Sequence, residues 1–166
     1  GFTYLIYKNL ILNSNKKKLT NNFRNGILIH GGGWKKMKNL NISKNLFKSL
    51  LKKKISLENI YNYYGLIEQT GSIFFECKTC GYLQTSIFSD IIIRDKEFNV
   101  LNSNKKGLIQ LISLLPTSYP GHNILTEDIG EIVSKKNIKC NHIGKSFIVH
   151  GRSEESEVRG CSDVTN

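Results

Sequence analysis

Tyr63-Tyr64-Gly65-Leu66-Ile67-Glu68-Gln69-Thr70-Gly71 is the segment on which the fold and function of this chain turn. An aromatic ring beside a glycine, with a carboxylate three residues further on, can stack a purine on Tyr64 and hold Mg²⁺ through Glu68. Hard oxygen ligands combined with nucleotide phosphates are how proteins usually bind that ion. In isolation a plainer account, a buried tyrosine in a turn beside an exposed glutamate, fits better. The neighbouring segments decide between the two.

Upstream lies Gly26-Ile-Leu-Ile-His-Gly-Gly-Gly-Trp34, an apolar strand running into three glycines. Glycines at a strand end permit positive φ and let backbone come close to a flat or charged ligand. The ending and spacing of a Walker loop are absent, and taken alone this is a tight turn. Downstream, Leu125-Thr126-Glu127-Asp128-Ile129-Gly130-Glu131 is an acidic turn entering a strand. A carboxylate at a strand end can accept both hydroxyls of a ribose, as acidic residues do in dinucleotide folds. Last comes His150-Gly151-Arg152-Ser153-Glu154, a glycine–arginine pair leaving a strand into a charged segment that ends near Gly160. Solvated turns and a charged tail would account for these two as well.

Between these landmarks the chain divides by pattern. Ile42, Leu46, Phe47, Leu50 and Leu51 recur at helical spacing with Lys44, Lys48, Lys52 and Lys53 between them, which predicts an amphipathic helix with a wet lysine face. After it, Ser72–Glu76, Leu83–Arg94, Leu108–Leu115, Ile129–Ser134 and Ser146–His150 are rich in Ile, Phe, Val and Leu and predict strands, separated by Gly, Asn, Pro and Lys clusters. The fold class is α/β, with a helix-bearing first third followed by a β-rich remainder. With 39% hydrophobic residues among 166, the chain can build a core of its own.

Charge excludes less than its total suggests. The net charge is +11, but residues 1–60 carry 13 Lys and Arg against one acid, while residues 61–166 carry 11 against 12. The excess is N-terminal and consists of lysine, with Arg24 its single arginine. A specific nucleic-acid reader uses arginine for bidentate contacts, and the abundance of Lys, Asn and Ile with no Ala points to codon bias instead. Nucleic acid is therefore disfavoured as a partner. No apolar run approaches the ~20 residues of a membrane span. There is no signal-peptide pattern, and four cysteines are too few for a secreted disulfide scaffold. A cytoplasmic protein is expected. The first residue is Gly, which suggests a piece of a longer product.

The four segments, near positions 31, 64, 128 and 151, come in the motif order of the adenylate-forming (AMP-binding) superfamily, which the chain resembles over nearly its whole length. Gly-Gly-Gly-Trp-Lys from Gly31, Tyr-Gly-x-x-Glu-Gln-Thr-Gly from Tyr64, and Arg-Gly-Cys-Ser-Asp from Arg159 most resemble the LuxE-type acyl-protein synthetases, also called long-chain-fatty-acid–luciferin-component ligases. The resemblance implies ATP-dependent activation of a carboxylic acid, of fatty type, to acyl-AMP. The acyl group then passes to a protein thiol, with a reductase as a further partner in the family's best-known case. It implies that Gly31, Gly32 and Gly33 line the adenine, Tyr64 with Gly65 supplies the stacking ring, and Glu68 holds Mg²⁺. Asp128 then binds the ribose with Arg152 beside it, and a hinge falls near Glu154. Ile67 stands where the superfamily has a phosphate-contacting Thr, a role that falls to Thr70 if it is filled at all. Glu127 stands where the ribose segment has Gly. Residues 1–150 then form part of an adenylation domain, with a β-rich subdomain at about 71–150, and residues 151–166 form the hinge and the start of a C-terminal domain. The phosphate loop and the lysine of the C-terminal domain fall outside this sequence, so the isolated chain is expected to be weakly active or inactive. A phenylacetate-CoA-ligase-like enzyme using CoA as acceptor is the near alternative.

Cys77-Lys-Thr-Cys80-Gly81 and Cys140-Asn-His142 together make a Cys₃His set suited to tetrahedral, structural Zn²⁺, although four plain reduced thiols would show the same spacing. The resemblance to LuxE-type enzymes implies an acyl-accepting thiol of the chain's own, for which Cys161, the fourth cysteine, is the candidate by elimination, and Arg152 or Arg159 beside it would lower its pKa. The rival from another class is a zinc-stabilised basic module binding RNA or an acidic partner through the lysine-rich first third. An inactive remnant of the same ancestry is a third reading.

Overall fold

The computed structural model describes residues 1–13, 23–33, 42–117 and 120–153. A helical start, α1 (Thr3–Ile6) continued by a π-helical turn over Tyr7–Leu12, is followed by strand β1 (Ile27–Gly31), helix α2 (Lys44–Ile55) and strand β2 (Asn59–Tyr64). A 3₁₀ turn (Ile67–Gln69) leads to β3 (Phe74–Phe75), β4 (Leu83–Gln84), β5 (Ser89–Arg94), β6 (Gly107–Ser113), β7 (Asn123–Val133), a second 3₁₀ turn (Lys135–Asn137) and β8 (Ser146–Arg152). The strands form two sheets, one in the order β1-β2-β3 and one in the order β4-β8-β7-β6-β5. Strands β1 and β2 are parallel, joined through α2, and all other pairings are antiparallel. The mixed α/β character and the concentration of strands in the later part agree with the sequence. Among the described residues no helix is long and apolar enough to cross a membrane.

Helix α2 forms for local reasons. Ser43 caps its N-terminus, its hydroxyl accepting from the Leu46 N–H at 3.2 Å, and Lys52, Lys53 and Lys54 crowd the last turn, where cations favour the helix dipole. Phe47, Leu51 and Ile55, each four residues apart, are buried against Ile11, Leu57 and Ile60. The apolar stripe is thus rotated from the one expected: Leu46 is exposed. The second core lies under the larger sheet and joins Phe74, Leu83, Ile91, Ile93, Ile109, Leu111 and Phe147.

The lysine face of α2 is not simply wet. Lys44 and Lys48 converge on one carboxylate oxygen of Glu76 at 2.8 and 2.6 Å, and the Glu76 side chain is only 3% exposed. The other oxygen accepts from the Asn62 N–H at 3.1 Å, so one buried acid ties α2 to β2 and to the chain leaving β3. Burial alone would raise the pKa of Glu76, but the lysine hydrogen bonds outweigh it and hold the carboxyl below its usual 4.5. A depressed carboxyl pKa stabilises the fold above the unfolded-state value, and that contribution disappears as pH falls through the lower folded-state value. Glu76→Gln is therefore expected to cost about 2 kcal/mol at neutral pH and nothing once the native carboxyl is protonated in acid. Urea unfolding of both proteins across pH 3 to 7 checks this, and a constant difference over that range would refute it.

Two strand boundaries differ from expectation. Leu83–Arg94 is two strands, because Ser86 and Ser89 interrupt the ladder: the Ser86 N–H donates to the Ser89 hydroxyl at 3.0 Å, and the Phe88 N–H to the Ser86 hydroxyl at 3.2 Å. The acidic segment Leu125–Glu131 is not a turn before a strand but lies within β7. It does break the ladder. On β6 one residue lies between Leu108 and Gln110, while three lie between their partners Ile129 and Leu125 on β7. Strand β2, with polar Asn59 and Asn62 among its residues, carried too little apolar signal to be expected.

Candidate functional site

The irregular stretch of β7 places Asp128. Thr126, inside it, turns its hydroxyl onto the Ile109 carbonyl at 2.8 Å and accepts the Asp128 N–H at 3.1 Å. A second irregularity follows between Ile129 and Gly130, so that Asp128 pairs with Arg152 at the end of β8. Bulges of this kind bend a strand and re-aim a side chain, and they recur next to active sites. Here the aimed side chain is a carboxylate. Its Oδ2 accepts a 2.6 Å hydrogen bond from the Tyr64 hydroxyl, which comes from the last residue of β2 in the other sheet.

Tyr64 is held by two rings and a carboxylate. Its ring lies 6.2 Å from both Phe74 and Phe147, which themselves meet edge to face at 5.4 Å. Burial and the adjacent Asp128 charge push its pKa well above that of a free tyrosine, so it stays protonated and donates. Across β7, Glu127 approaches the Arg152 guanidinium at 3.9 Å. Positions 64, 128 and 152 are thus assembled at the junction of the two sheets.

The glycines sit at the end of β1, next to β2. Gly31 is paired with Tyr63, and a Cβ at Gly31 would lie 2.8 Å from the Tyr63 ring, which a larger residue would have to displace. Gly32 has φ +76°, a conformation side chains avoid, and among the described residues nothing lies within 4 Å of where a Cβ at Gly33 would stand. Gly65 follows Tyr64 and packs closely on the Ser72 carbonyl, 3.0 Å from where its Cβ would be.

Glu68 and Thr70 are placed differently. Both are exposed, on and just after the Ile67–Gln69 turn. With Ile67, Gly71, Leu115, Pro116 and Thr117 they line an open cleft of about 480 Å³. The Thr70 hydroxyl donates to the Ile67 carbonyl at 3.0 Å. Gln69 between them is fully buried and anchors the turn, its amide donating to the Gly121 carbonyl at 2.8 Å. Sequence reasoning passed over Gln69, Phe74, Phe147 and Glu76, because nothing in their local spacing marks a partner 28 to 73 residues away. Trp34, the hinge position Glu154, Arg159 and Cys161 lie outside the described residues.

Of the four metal-ligand candidates, Cys77, Cys80 and Cys140 converge, with their sulfurs within 4.8 Å of one another. All three are free thiols. His142 stands apart, with its Nε2 on the Thr85 carbonyl at 2.7 Å. Burial would raise the Cys77 thiol, but the backbone N–H groups of Cys80 and Thr79 and the neighbouring thiols bring it down to about 7.

The two sheets meet at an aromatic cluster, where a tyrosine, an aspartate and an arginine drawn from three strands come together. Solved structures share this fold. The chain is similar to an open conformation of 2-hydroxyisobutyryl-CoA ligase in complex with 2-HIB-AMP and CoA, with a TM-score of 0.72 and 15% identity over 93% of this chain and 33% of that one. It is similar also to apo MatB from Rhodopseudomonas palustris, with a TM-score of 0.58 and 14% identity over 92% and 30%. McyG A-PCP complexed with phenylalanyl-adenylate gives a TM-score of 0.55 and 19% identity over 92% and 32%. The chain spans about a third of the length of these proteins, and at such identities the likeness is one of fold. Comparison with curated protein sequences finds no match. The chain belongs to the acyl-protein synthetase, LuxE, family, whose model matches residues 1–166.

Proposed function

We propose that this chain supplies the base- and sugar-binding half of the site of an ATP-dependent acid–thiol ligase. The observation that carries the reading is the 2.6 Å bond from Tyr64 to Asp128 with Arg152 paired opposite, which gathers three separate motifs into one place. Asp128, accepting, suits the vicinal hydroxyls of a ribose. Arg152 beside it suits the sugar edge or a phosphate. The glycine-lined end of β1 leaves room for a flat base against backbone.

In the proposed reaction a carboxylate oxygen attacks the α-phosphorus of ATP and displaces pyrophosphate, giving acyl-AMP. A thiolate then attacks the acyl carbonyl and AMP leaves. Glu68 and Thr70 are oxygen donors on an open cleft, the kind of partial ligand set that suits Mg²⁺, which takes its remaining ligands from phosphate and water. When bound, the ion neutralises phosphate charge. The acid is of fatty type and the acceptor a protein thiol if the chain shares the chemistry its family is named for, and CoA is the competing acceptor. A purely basic binding module is less well supported, since Lys44 and Lys48 are committed to Glu76.

Carboxylate-dependent ATP–pyrophosphate exchange tests the reading, with short, aromatic and long-chain acids, on this chain and on a longer protein carrying the complete large domain. Exchange in the longer protein, dependent on one class of acid, is the expected result. A folded longer protein with no exchange on any acid would overturn it.

A further inference from the structure

We propose that Cys77, Cys80, Cys140 and His142 bind a Zn²⁺ ion that clasps the edge of the larger sheet. The three thiols come from two places, the turn between β3 and β4 and the loop between β7 and β8, yet their sulfurs lie within 4.8 Å of one another. Two thiolates on one tetrahedral zinc, each bonded at ~2.3 Å, sit roughly 3.8 Å apart. The Cys80 and Cys140 sulfurs are at 3.4 Å. A disulfide would use two of the thiols and give the third no reason to converge.

The surroundings of the trio are those of a metal site. Gly81, at φ +74°, turns the chain after Cys80, and its N–H returns to the Cys77 carbonyl at 2.8 Å, closing the knuckle. The Gln84 amide donates toward both Cys80 and Cys140 sulfurs, at 3.7 and 3.3 Å. Such bonds to sulfur support bound thiolates and are part of what tunes a site. Lys44 of α2 donates to the Gly81 carbonyl at 2.6 Å and fixes the knuckle from outside.

His142 supplies the fourth ligand through Nδ1. Its Nε2 faces the Thr85 carbonyl, which can only accept, so the ring proton is on Nε2 and the Nδ1 lone pair is available. A metal-bound histidine characteristically donates its other nitrogen to a carbonyl or carboxylate in this way. Nδ1 stands outside the sulfur trio, so the fourth bond requires His142 to approach the ion when it binds. Each thiol gives up its proton on binding, so affinity falls as pH is lowered.

The role is structural. Strand β8 carries Ser146 near the knuckle and Arg152 at its far end, which puts the metal roughly 20 Å along the strand from the proposed sugar site. Strand β4 has only two residues paired with β8, Leu83 with Phe147 and Gln84 with Ser146. A clasp at its start compensates for that short ladder.

The test uses the full chain purified in the presence of zinc, its metal content, and its Co²⁺-substituted form. One metal per chain is expected, with the intense visible bands of tetrahedral cobalt and thiolate-to-metal charge transfer. Cys140→Ser should lose the bound metal, and His142→Ala should retain it with altered bands and at least tenfold weaker affinity. Should Cys140→Ser not fold, alkylation of the unmodified protein serves instead: the three thiols should be protected with metal and exposed after chelation. Substoichiometric metal with thiols alkylated equally in both states, or a Cys80–Cys140 disulfide in their place, would overturn the site. A His142→Ala protein indistinguishable in spectrum and affinity would overturn the fourth ligand.

Discussion

Glu68→Ala is expected to lower pyrophosphate exchange by the longer protein about 100- to 1,000-fold, the range seen when a single group stabilising transition-state charge is removed. The side chain is exposed on the Ile67–Gln69 turn, so its loss should leave thermal unfolding unchanged. The turn itself is held by buried Gln69, not by Glu68. Rate and stability therefore separate: exchange kinetics as a function of Mg²⁺ concentration, beside a melting curve, read both. Partial recovery at high Mg²⁺ would place the defect at the ion. Exchange within threefold of the unmodified enzyme would remove Glu68 from the chemistry and leave the cleft by Thr70 unexplained.

The second large effect is expected at Asp128. Asp128→Ala removes the proposed acceptor of the ribose hydroxyls, and two charge-assisted hydrogen bonds lost together correspond to at least 100-fold weaker nucleotide binding. It also leaves the half-buried Tyr64 hydroxyl without its 2.6 Å partner, which should cost about 1 kcal/mol of stability. Tyr64→Phe distinguishes the two losses. It deletes the donor and leaves the carboxylate, so nucleotide affinity should change little, while the combined variant should be more stable than Asp128→Ala alone. Calorimetric titration with AMP and ATP, next to urea unfolding, measures each. If Tyr64→Phe weakens nucleotide binding as much as Asp128→Ala does, the pair is a structural unit and the sugar assignment fails.

Much of this was legible in the sequence because it is local. The α2 helix, the glycine run after Ile29 and each of the four motifs taken singly depend on residues close in the chain, and the order of the motifs led to the family and fold class. The three cysteines were readable for the same reason, as two short knuckles. What escaped was set either by side-chain-to-backbone bonds that leave no mark on the hydrophobic pattern or by distant partners. The Ser86–Ser89 hydrogen bonds split a strand whose hydrophobic pattern runs straight through. The bulge around Asp128 looked like a turn because Thr, Glu and Asp are turn-prone, and the structure uses them to interrupt a ladder instead. Lys44 and Lys48 looked like solvent-facing charges because the acid that engages both, Glu76, is 28 residues beyond Lys48 and buried. A helix period shows which face is polar, not whether that face meets water.

The order of the larger sheet also bears on how the chain assembles. Strands β5, β6, β7 and β8 are successive in sequence and adjacent in space, a meander of short-range pairings, and such contacts close early because little chain entropy is lost in forming them. Strand β4 is the exception: Gln84 waits for Ser146, 62 residues later. Its two-residue ladder should therefore be the last part of the sheet to lock and the first to open. Native-state hydrogen exchange is expected to show the Ile92, Gln110 and Ile112 amides, which belong to the bonded pairs of the β5–β6 ladder, exchanging only on global unfolding and the Thr85 amide, which is bonded to the Lys145 carbonyl, well before them. Equal protection at both places would mean that the edge and the meander rise and fall as one unit.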